Sequence, residues 1–456
     1  MNMQRMDDEL LSRVAAVTEG PAQPRGIYEA QATQADVYAM AAGFLARWES
    51  EVPQGAICVC AERRAVIAAA LVAAMAAGRE CILPFALSRN ALETVREALH
   101  FDAAVVDGDR DLPDGVRPIH PSRAAWRGTL CKDPRAVFLH LFTGGTTGAP
   151  VGWRKTPLNL IGEAMYLANT YHIGSDDCIA ATVPPYHIYG LLFTVLIPLV
   201  SSASVLAGSF VYPEEVRRAV RDLGASILVS VPLHYRSFKE ANVAGPKLRL
   251  AFSSAGPLDR EDSIAFYRTS GIGVEEIYGS TETGGIAARC QATGRDILEP
   301  FSCVRWKIKD ERLMIASPFL SPDLPLQGGY YRTGDRAIAA GSGFTLLGRA
   351  DGVVKVGGRR VSLERVQDAI KNLPGVCDAV VVSLPSRTGR AVEIAAAVDA
   401  DLPEEKIRAA LQSKLEPYEV PRRIRIVRPI PAASTGKYNR EAIMRLFADD
   451  ESRGGG

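Results

Sequence analysis

The stretch Thr143-Gly144-Gly145-Thr146-Thr147-Gly148-Ala149-Pro150 directly follows a predicted strand that ends at Phe142. Its glycines let the backbone approach a ligand closely, and successive N–H groups can form a nest for an anion. Its threonines add hydroxyl donors for phosphate oxygens. A P-loop would instead need the pattern G-x-x-x-x-G-K-[ST], whose lysine this stretch lacks. The stretch therefore predicts a phosphate-binding loop of another kind, with a Gly/Thr-rich surface turn as the alternative.

Short β-branched runs alternate with Ala-rich helical stretches on both sides of this loop, which is the pattern of layered α/β domains. Strands are predicted at 56–61, 81–84, 103–106, 136–142, 178–182, 204–206, 226–230 and 248–253, and helices at 64–77, 92–99, 213–223 and 259–269. The first five of these elements in chain order follow a βαβαβ rhythm. The sequence therefore predicts a large multi-layer α/β domain in which βαβ sheets are packed with helices.

The pattern changes after about residue 299. Strand-like, turn-rich segments at 304–308, 312–317 and 343–347 predict a small β subdomain. A final unit from about residue 351 has predicted helices at 363–371 and 404–414 and predicted strands at 379–384, 391–398 and 423–427. We therefore predict an N-terminal domain over residues 1–349 and a small, mobile α+β domain over residues 350–456.

Charge and composition exclude several classes of partner. The net charge of +1 over 456 residues argues against a large nucleic-acid interface. Eight scattered cysteines form no C-x-x-C pair, as expected of reduced thiols. Met1–Ala16 lacks the apolar region of a signal peptide, the apolar stretch 65–77 is too short to span a bilayer, and Pro198 interrupts the stretch 191–207. The sequence predicts a soluble, cytoplasmic protein without membrane insertion or nucleic-acid binding.

Further motifs along the chain carry candidate chemistry. The stretch Tyr278-Gly279-Ser280-Thr281-Glu282-Thr283 offers an aromatic face, hydroxyls and a carboxylate. Asp335, at the end of YRTGD, is suited to pairing with vicinal hydroxyls, and Lys437 ends the loop STGK. The stretch 348–352 brings a cation and an acid together beside two glycines. Each motif alone is compatible with a structural role, and their joint order is the informative feature.

That order resembles the adenylate-forming superfamily of acyl- and aryl-CoA synthetases, nonribosomal-peptide adenylation domains and luciferases. The resemblance covers about Phe142–Arg440 and rests on TGGTTGAP, PPYHIYG, YGSTETG, YRTGD, GRADGVVKVGGRRV and STGK, in that order. It is closest in look to the acyl- and aryl-CoA ligases. The resemblance implies an ATP-dependent, AMP-forming acid–thiol ligase that uses Mg²⁺ and passes an activated acyl group to coenzyme A or to the phosphopantetheine of a carrier protein.

The resemblance also implies roles for individual residues. It places the β- and γ-phosphates of ATP in the loop from Thr143 to Gly148, and the adenine between Ser254-Ala255-Gly256-Pro257 and Tyr278-Gly279. The remaining implied roles are α-phosphate contact by Thr281, Mg²⁺ binding by Glu282, ribose binding by Asp335 with support from Arg349, and bridging of the acid and the α-phosphate by Lys437.

A second half-reaction requires the thiol to reach the acyl-AMP carbonyl. The resemblance implies that the C-terminal domain rotates about a hinge at Asp351 for this step. Gly357 and Gly358 then form part of the tunnel for the slender thiol arm, since glycine permits close approach. Two departures from the family pattern stand out. Val151 occupies the usual lysine position of the phosphate loop, where Arg154 or Lys155 can supply charge from a shifted position, and the N-terminal part is shorter than is usual for the family.

The segment Tyr186-His187-Ile188-Tyr189-Gly190 bears on the acid. Amino-acid-activating relatives place an aspartate after the aromatic residue, whereas His187 and Ile188 stand here, which argues against an α-amino acid. His187 would lie at the gate of the acyl pocket, with burial in the core as the alternative, and residues 229–233 would add an apolar wall. We expect an aromatic or medium-chain acid.

Several alternatives remain open. The arginines 422, 423, 425 and 428 suit the phosphate of coenzyme A, an acidic carrier-protein helix, or a solvated strand face. The missing loop lysine leaves open a catalytically silent nucleotide-binding module. An adenylation-only or luciferase-type oxygenase relative is the other alternative, since its motifs are shared.

Overall fold

The computed structural model describes residues 3–20, 27–28, 32–52, 54–143, 150–239, 241–349, 352–356, 359–385, 392–433 and 438–448. Gly144–Ala149, Asp351, Gly357, Gly358 and Lys437 lie outside these residues, so the roles predicted for them stay predictions. The chain forms two compact units, residues 1–305 with 315–331, and residues 306–314 with 332–456. The predicted domain boundary between residues 349 and 350 is not tested by this division and stays a prediction.

The helices and strands up to residue 300 belong to the first unit. The helices are α1 (Met3–Ala16), α2 (Gln34–Glu51), α3 (Arg64–Ala77), α4 (Arg89–Ala98), α5 (Pro157–Thr170), α6 (Ile188–Leu191), α7 (Ile197–Ser201), α8 (Pro213–Arg221), α9 (Pro232–Ser237) and α10 (Arg260–Ser270), with a π-helical stretch at Leu192–Leu196 and a 3₁₀ turn at Gln291–Thr293. The strands are β1 (Ile27–Tyr28), β2 (Ala32–Thr33), β3 (Ala56–Cys60), β4 (Cys81–Leu83), β5 (Phe101–Val106), β6 (Arg117–Ile119), β7 (Leu139–Thr143), β8 (Val151–Lys155), β9 (Cys178–Ala181), β10 (Ser204–Val205), β11 (Ile227–Ser230), β12 (Leu250–Ser253), β13 (Val274–Ser280), β14 (Gly284–Cys290) and β15 (Arg295–Pro300).

One sheet of the first unit has the strand order β6-β5-β3-β4-β7-β8. Its strands are parallel except β8, which runs antiparallel to β7. The run AICVC of β3 is almost wholly buried, as expected for a parallel strand covered on both faces. Helix α3 is buried along nearly its entire length, which its small alanine side chains permit, and its bounds equal the predicted 64–77.

The second sheet carries the strands that position the site. Within the first unit its order is β2-β1-β10-β9-β11-β12-β13-β14-β15. The strands from β1 to β13 are parallel to their neighbours along this order, and β2, β14 and β15 are antiparallel. Val216, Phe238 and Phe266 of the α8–α10 region share a core with one face, while Phe193 of the π-helical stretch packs on Phe252 from the other. Both faces of the parallel part are therefore covered.

The strands and helices after residue 300 are β16 (Arg305–Lys309), β17 (Arg312–Ala316), β18 (Leu326–Gln327), β19 (Tyr330–Ala340), β20 (Gly343–Arg349), β21 (Val353–Val356), β22 (Arg359–Ser362), α11 (Leu363–Lys371), β23 (Val376–Pro385), β24 (Val392–Ala400), α12 (Glu404–Gln412), β25 (Arg423–Ile426) and α13 (Arg440–Ala448). In the second unit β23 and β24 pair antiparallel and β25 joins β24 in parallel. Because successive strand residues face opposite ways, Val381 packs in a core with Val366 and Ile407 of α11 and α12, and Val382 in a core with Ile443 of α13. This part is the predicted α+β arrangement.

Some elements were not predicted from the sequence. Helices α1, α2 and α5 lie in stretches for which no helix was predicted. Helix α5 begins with a capping box, in which the Thr156 hydroxyl accepts from the Asn159 N–H and the Asn159 side chain accepts from the Thr156 N–H. Within the described ranges, no helix combines the length and the apolar character needed to cross a membrane.

Candidate active site

Three predicted site segments of the first unit follow strands at one edge of the second sheet. The parallel strands β9, β11, β12 and β13 end at Ala181, Ser230, Ser253 and Ser280. Open α/β sheets bind their ligands outside the carboxyl ends of parallel strands. The segment around His187 follows β9, Ser254–Pro257 follows β12, and Thr281 and Glu282 follow β13. The topology therefore brings these three predicted segments to one edge.

The turn between β13 and β14 holds Thr281 and Glu282. At its start, the Thr283 hydroxyl accepts from the Ser280 N–H at 3.0 Å and lies 2.8 Å from the Ser280 hydroxyl. A Cβ on Gly279 would lie 2.3 Å from the Gly284 carbonyl oxygen, so the two strands approach too closely for any other residue there. Thr281 is buried, and the Glu282 carbonyl accepts from the Ser321 N–H at 2.8 Å. The backbone of Thr281 and Glu282 is thus held by hydrogen bonds on both sides, at Ser280 and at Ser321.

The segment after β12 is locally strained. Ala255 has φ +71°, in the left-handed region that non-glycine residues seldom adopt. The Ser254 hydroxyl donates to the Ile277 carbonyl at 2.9 Å and so ties this segment to β13. Such strain costs about 1–3 kcal/mol and is concentrated at functional sites. The strain marks Ser254–Pro257 as a candidate ligand-binding segment, and its predicted contact with the adenine stays a prediction.

The segment after β9 folds back on itself before helix α6. A Cβ on Gly190 would lie 2.0 Å from the Pro184 carbonyl oxygen, so this fold requires glycine. The rings of Tyr186 and His187 have centroids 4.9 Å apart. Tyr189 contacts Phe193 at a centroid distance of 5.2 Å. Two pairs of ring contacts therefore involve this segment, one of them made by the histidine that was predicted to gate the acyl pocket.

Thr143 and Val151 flank the predicted phosphate loop. They are register partners at the facing ends of the antiparallel strands β7 and β8, so residues 144–149 connect these two strands. The Thr143 hydroxyl donates to the Val151 carbonyl at 3.4 Å and accepts from the Trp153 indole N–H at 3.3 Å. Arg154, one candidate for the missing charge, pairs with Asp323 at 2.8 Å on the surface.

Asp335 and Arg349 belong to the second unit. They are register partners on the antiparallel strands β19 and β20. The Asp335 N–H donates to the Thr333 hydroxyl at 3.2 Å, which fixes the backbone of the aspartate. The backbone register places the predicted ribose ligand directly opposite its predicted support.

Lys155 and Glu163 are two buried ionisable residues that act on each other electrostatically, and this pair was not predicted from the sequence. Burial lowers the pKa of Lys155 to about 8, against the raising effect of the Glu163 and Glu282 carboxylates. Burial raises the pKa of Glu163 to about 7, against the lowering effects of the hydrogen bond from the Gly285 N–H and of the Lys155 charge. The signal in the sequence was a lysine four residues after the usual lysine position of the phosphate loop, which was predicted only as a possible source of charge for that loop.

Comparison with known proteins identifies the family. The AMP-binding enzyme model matches residues 35–318, and the AMP-binding enzyme C-terminal domain model matches residues 365–437. The chain belongs to the AMP-binding enzyme family. The predictions that the protein is an adenylate-forming enzyme and an AMP-forming ligase are thereby confirmed as to the class of enzyme.

Two relatives and one solved structure show how similar the chain is to known members. It is 28% identical to a sulfoacetate–CoA ligase of Cupriavidus necator, over 68% of this chain and 67% of the relative. It is 30% identical to a "probable 2-succinylbenzoate–CoA ligase" of Mycobacterium tuberculosis, over 69% of this chain and 85% of the relative. ATP-bound MatB of Rhodopseudomonas palustris shares the fold with a TM-score of 0.82 and 18% identity, over 96% of this chain and 99% of MatB. The predicted α/β fold class is confirmed.

Proposed function

We propose that the enzyme activates a carboxylic acid with ATP and transfers the acyl group to the thiol of coenzyme A. In the first step an acid oxygen attacks the α-phosphorus, the new O–P bond forms, the bond to the β-phosphate oxygen breaks, and pyrophosphate leaves. In the second step the thiolate attacks the acyl carbon, the C–S bond forms, the bond between the acyl carbon and the phosphate oxygen breaks, and AMP leaves with that oxygen. The observation that carries the proposal is the convergence of the His187 segment, Ser254–Pro257 and the Thr281–Glu282 turn at one sheet edge in a member of this family.

The first step brings one anion towards another, so cations must offset the charge. In the proposal Lys437 aligns the acid with the α-phosphate, and Thr281 contacts the α-phosphate. Glu282 suits Mg²⁺, because this ion usually takes one or two carboxylates together with substrate phosphates rather than an all-protein cage. The described residues indeed contain no group of three or more His, Cys, Asp or Glu that could hold a metal alone. When bound, Mg²⁺ would neutralise phosphate charge.

An aromatic or medium-chain acid fits the segment after β9. The contacting rings of Tyr189 and Phe193 make this segment apolar, which favours an apolar group in the acid. His187 and Ile188 leave no carboxylate there for a substrate amine. We therefore propose an acid without an α-amino group, activated in the cytoplasm.

Coenzyme A is the proposed acceptor, and a carrier-protein phosphopantetheine is the competitor. The two named relatives are CoA ligases. Arg423 pairs with Glu393, and Arg428 pairs with Asp399 and Asp401. Because these arginines are engaged within the second unit, they offer less free charge to either acceptor, and the choice of coenzyme A rests on the named relatives.

Acid-dependent pyrophosphate release tests the proposal. The protein is incubated with ATP, Mg²⁺, hydroxylamine and a panel of aryl, short-chain and medium-chain acids, with Lys437→Ala as the matched variant. We expect release with a restricted set of acids and a loss of about 100-fold or more in the variant. ATP binding without release from any acid would instead indicate a silent nucleotide-binding module. Adding coenzyme A or a loaded carrier protein then identifies the acceptor.

A further inference from the structure

Lys155, the last residue of β8, is a fully buried lysine. Its side chain is 0% exposed, and Nζ donates to the Phe319 carbonyl at 3.4 Å, a long hydrogen bond. Removing an ammonium group from water costs several kcal/mol, so a buried lysine requires compensating charge close by. One weak contact with a carbonyl does not supply it.

Two carboxylates supply the compensating charge. Glu163 on α5 is 2% exposed, and both it and Glu282 act electrostatically on Lys155. Glu163 Oε1 accepts from the Gly285 N–H at 2.7 Å. Glu163 Oε2 is buried and makes no hydrogen bond to any residue that the structure describes. We call Lys155, Glu163 and Glu282 the buried charge cluster.

The buried charge cluster lies in a closed ring of contacts around the turn between β13 and β14. The Gly285 N–H donates to Glu163 at one end of the turn, and the Ser321 N–H donates to the Glu282 carbonyl near the other. The segment 317–321 is in turn held by Lys155 at Phe319 and by Asn159 at the Pro318 carbonyl, at 2.8 Å. Lys155 thus has two effects on the turn: it helps to hold the segment 317–321 that supports the turn, and its positive charge acts on Glu282 within the turn.

Apolar side chains in place of both Lys155 and Glu163 would serve the structural role as well, because replacing a whole buried ion pair by apolar residues is often neutral or stabilising, whereas removing one member leaves an uncompensated charge. The charge of Lys155 acts electrostatically on Glu282, the carboxylate that the proposed function uses. We propose that Lys155 is a positioning residue, which holds the Glu282 carboxylate in the orientation needed for the metal-bound nucleotide while Glu163 holds the turn at Gly285. This inference rests on the proposed function of Glu282.

A double-mutant cycle tests the inference. Wild type, Lys155→Met, Glu282→Gln and the double variant are compared by acid-dependent pyrophosphate release over a range of Mg²⁺ concentrations. Because a small misplacement of a reacting group can cost up to about 100-fold in rate, we expect Lys155→Met to slow release by about 10- to 100-fold and to raise the Mg²⁺ concentration needed for half-maximal rate. Since the lysine acts through Glu282, it should cause no further loss in the Glu282→Gln background.

Arg249→Met provides the matched control. Arg249 forms a half-buried ion pair with Asp177, and the two precede β12 and β9, at the opposite edge of the sheet from the turn. Its loss should lower stability without changing the Mg²⁺ dependence. Losses that multiply in the cycle, or an unchanged rate in Lys155→Met, would overturn the inference.

Folding of the variants is checked by thermal unfolding. If Lys155→Met does not fold, Lys155→Met combined with Glu163→Gln replaces both buried charges and keeps an acceptor for the Gly285 N–H. The same cycle is then run with the Lys155→Met/Glu163→Gln variant in place of Lys155→Met. If neither of these variants folds, the cluster has a structural role and the inference is rejected. If wild type itself releases no pyrophosphate, the proposed function fails rather than this inference.

Discussion

Replacing Gly284 by alanine should destabilise the first unit strongly. Gly284 has φ +67°, and an added Cβ would lie 2.7 Å from both Glu163 Oε2 and Phe319 Cβ. The left-handed conformation costs an L-residue roughly 1–2 kcal/mol, and overpacking costs about 1–3 kcal/mol. Glu163 is buried and the Phe319 atom is next to its backbone, so neither can swing away. We expect a total loss of about 2–5 kcal/mol.

Comparison with Gly294→Ala separates the cost of the left-handed conformation from the cost of overpacking. Gly294 also has a positive φ, +83°, but an added Cβ would meet no atom within 4 Å. It should therefore carry only the conformational cost, about 1–2 kcal/mol. Urea unfolding followed by tryptophan fluorescence compares the two variants through their midpoints, since the surface exposed on unfolding is the same.

Equal midpoints for the two variants would refute the reasoning, because they would show that the turn can move away from Glu163. The expected result has a lower midpoint for Gly284→Ala than for Gly294→Ala. Pyrophosphate release under folding conditions should also fall only in Gly284→Ala, since Gly294 lies beyond the far end of β14.

The remaining predictions concern one residue in each unit. Tyr438 follows Lys437 in the chain, and its hydroxyl donates to Asp378 at 2.8 Å while accepting from Lys371 at 3.1 Å. Tyr438→Phe should therefore slow pyrophosphate release several-fold and slow acyl transfer from preformed acyl-AMP less. Equal losses of rate in both steps would contradict this prediction. Burial alone would raise the pKa of Asp177, but Arg249 and other donors hold it below its usual value. A depressed folded-state pKa contributes stability above the unfolded pKa, which is lost as pH falls through the folded value. Asp177→Asn should therefore unfold at lower urea than wild type at neutral pH, and the difference between the two urea midpoints should close as pH falls through the lowered pKa of Asp177; a constant difference would contradict this.

The α/β class and the chain order of the site segments were predictable because they follow local patterns. A buried run such as AICVC and an alanine-rich helix at 64–77 are fixed by residue type alone. Ser254 and Glu282 stand next to strand ends in the sequence, and in a parallel sheet strand ends meet at one edge. Nothing more than connectivity was needed to bring them together.

Helix α5 and the buried charge cluster were not predictable in this way. Helix α5 begins at a proline and includes polar residues whose burial depends on distant segments, for instance Asn159 against Pro318. Lys155 and Glu163 are residue types that are usually exposed. Their burial follows from tertiary packing against the segment 317–321 and the turn at Gly285, which no local pattern in the sequence specifies.

The structure also bears on which residue supplies the positive charge that the phosphate loop lacks at Val151. Side chains alternate along a strand, so Arg154 faces away from the side on which Val151 lies. Lys155 shares that side but is four residues further along, about 13 Å at the rise of a strand, and it is buried beneath the Glu282 turn. Neither side chain therefore occupies the place of a lysine at position 151. In the proposed reaction the positive charge at the phosphates must then come mainly from the metal at Glu282 and from Lys437, which makes correct placement of the Glu282 carboxylate more important here than in a relative with the loop lysine.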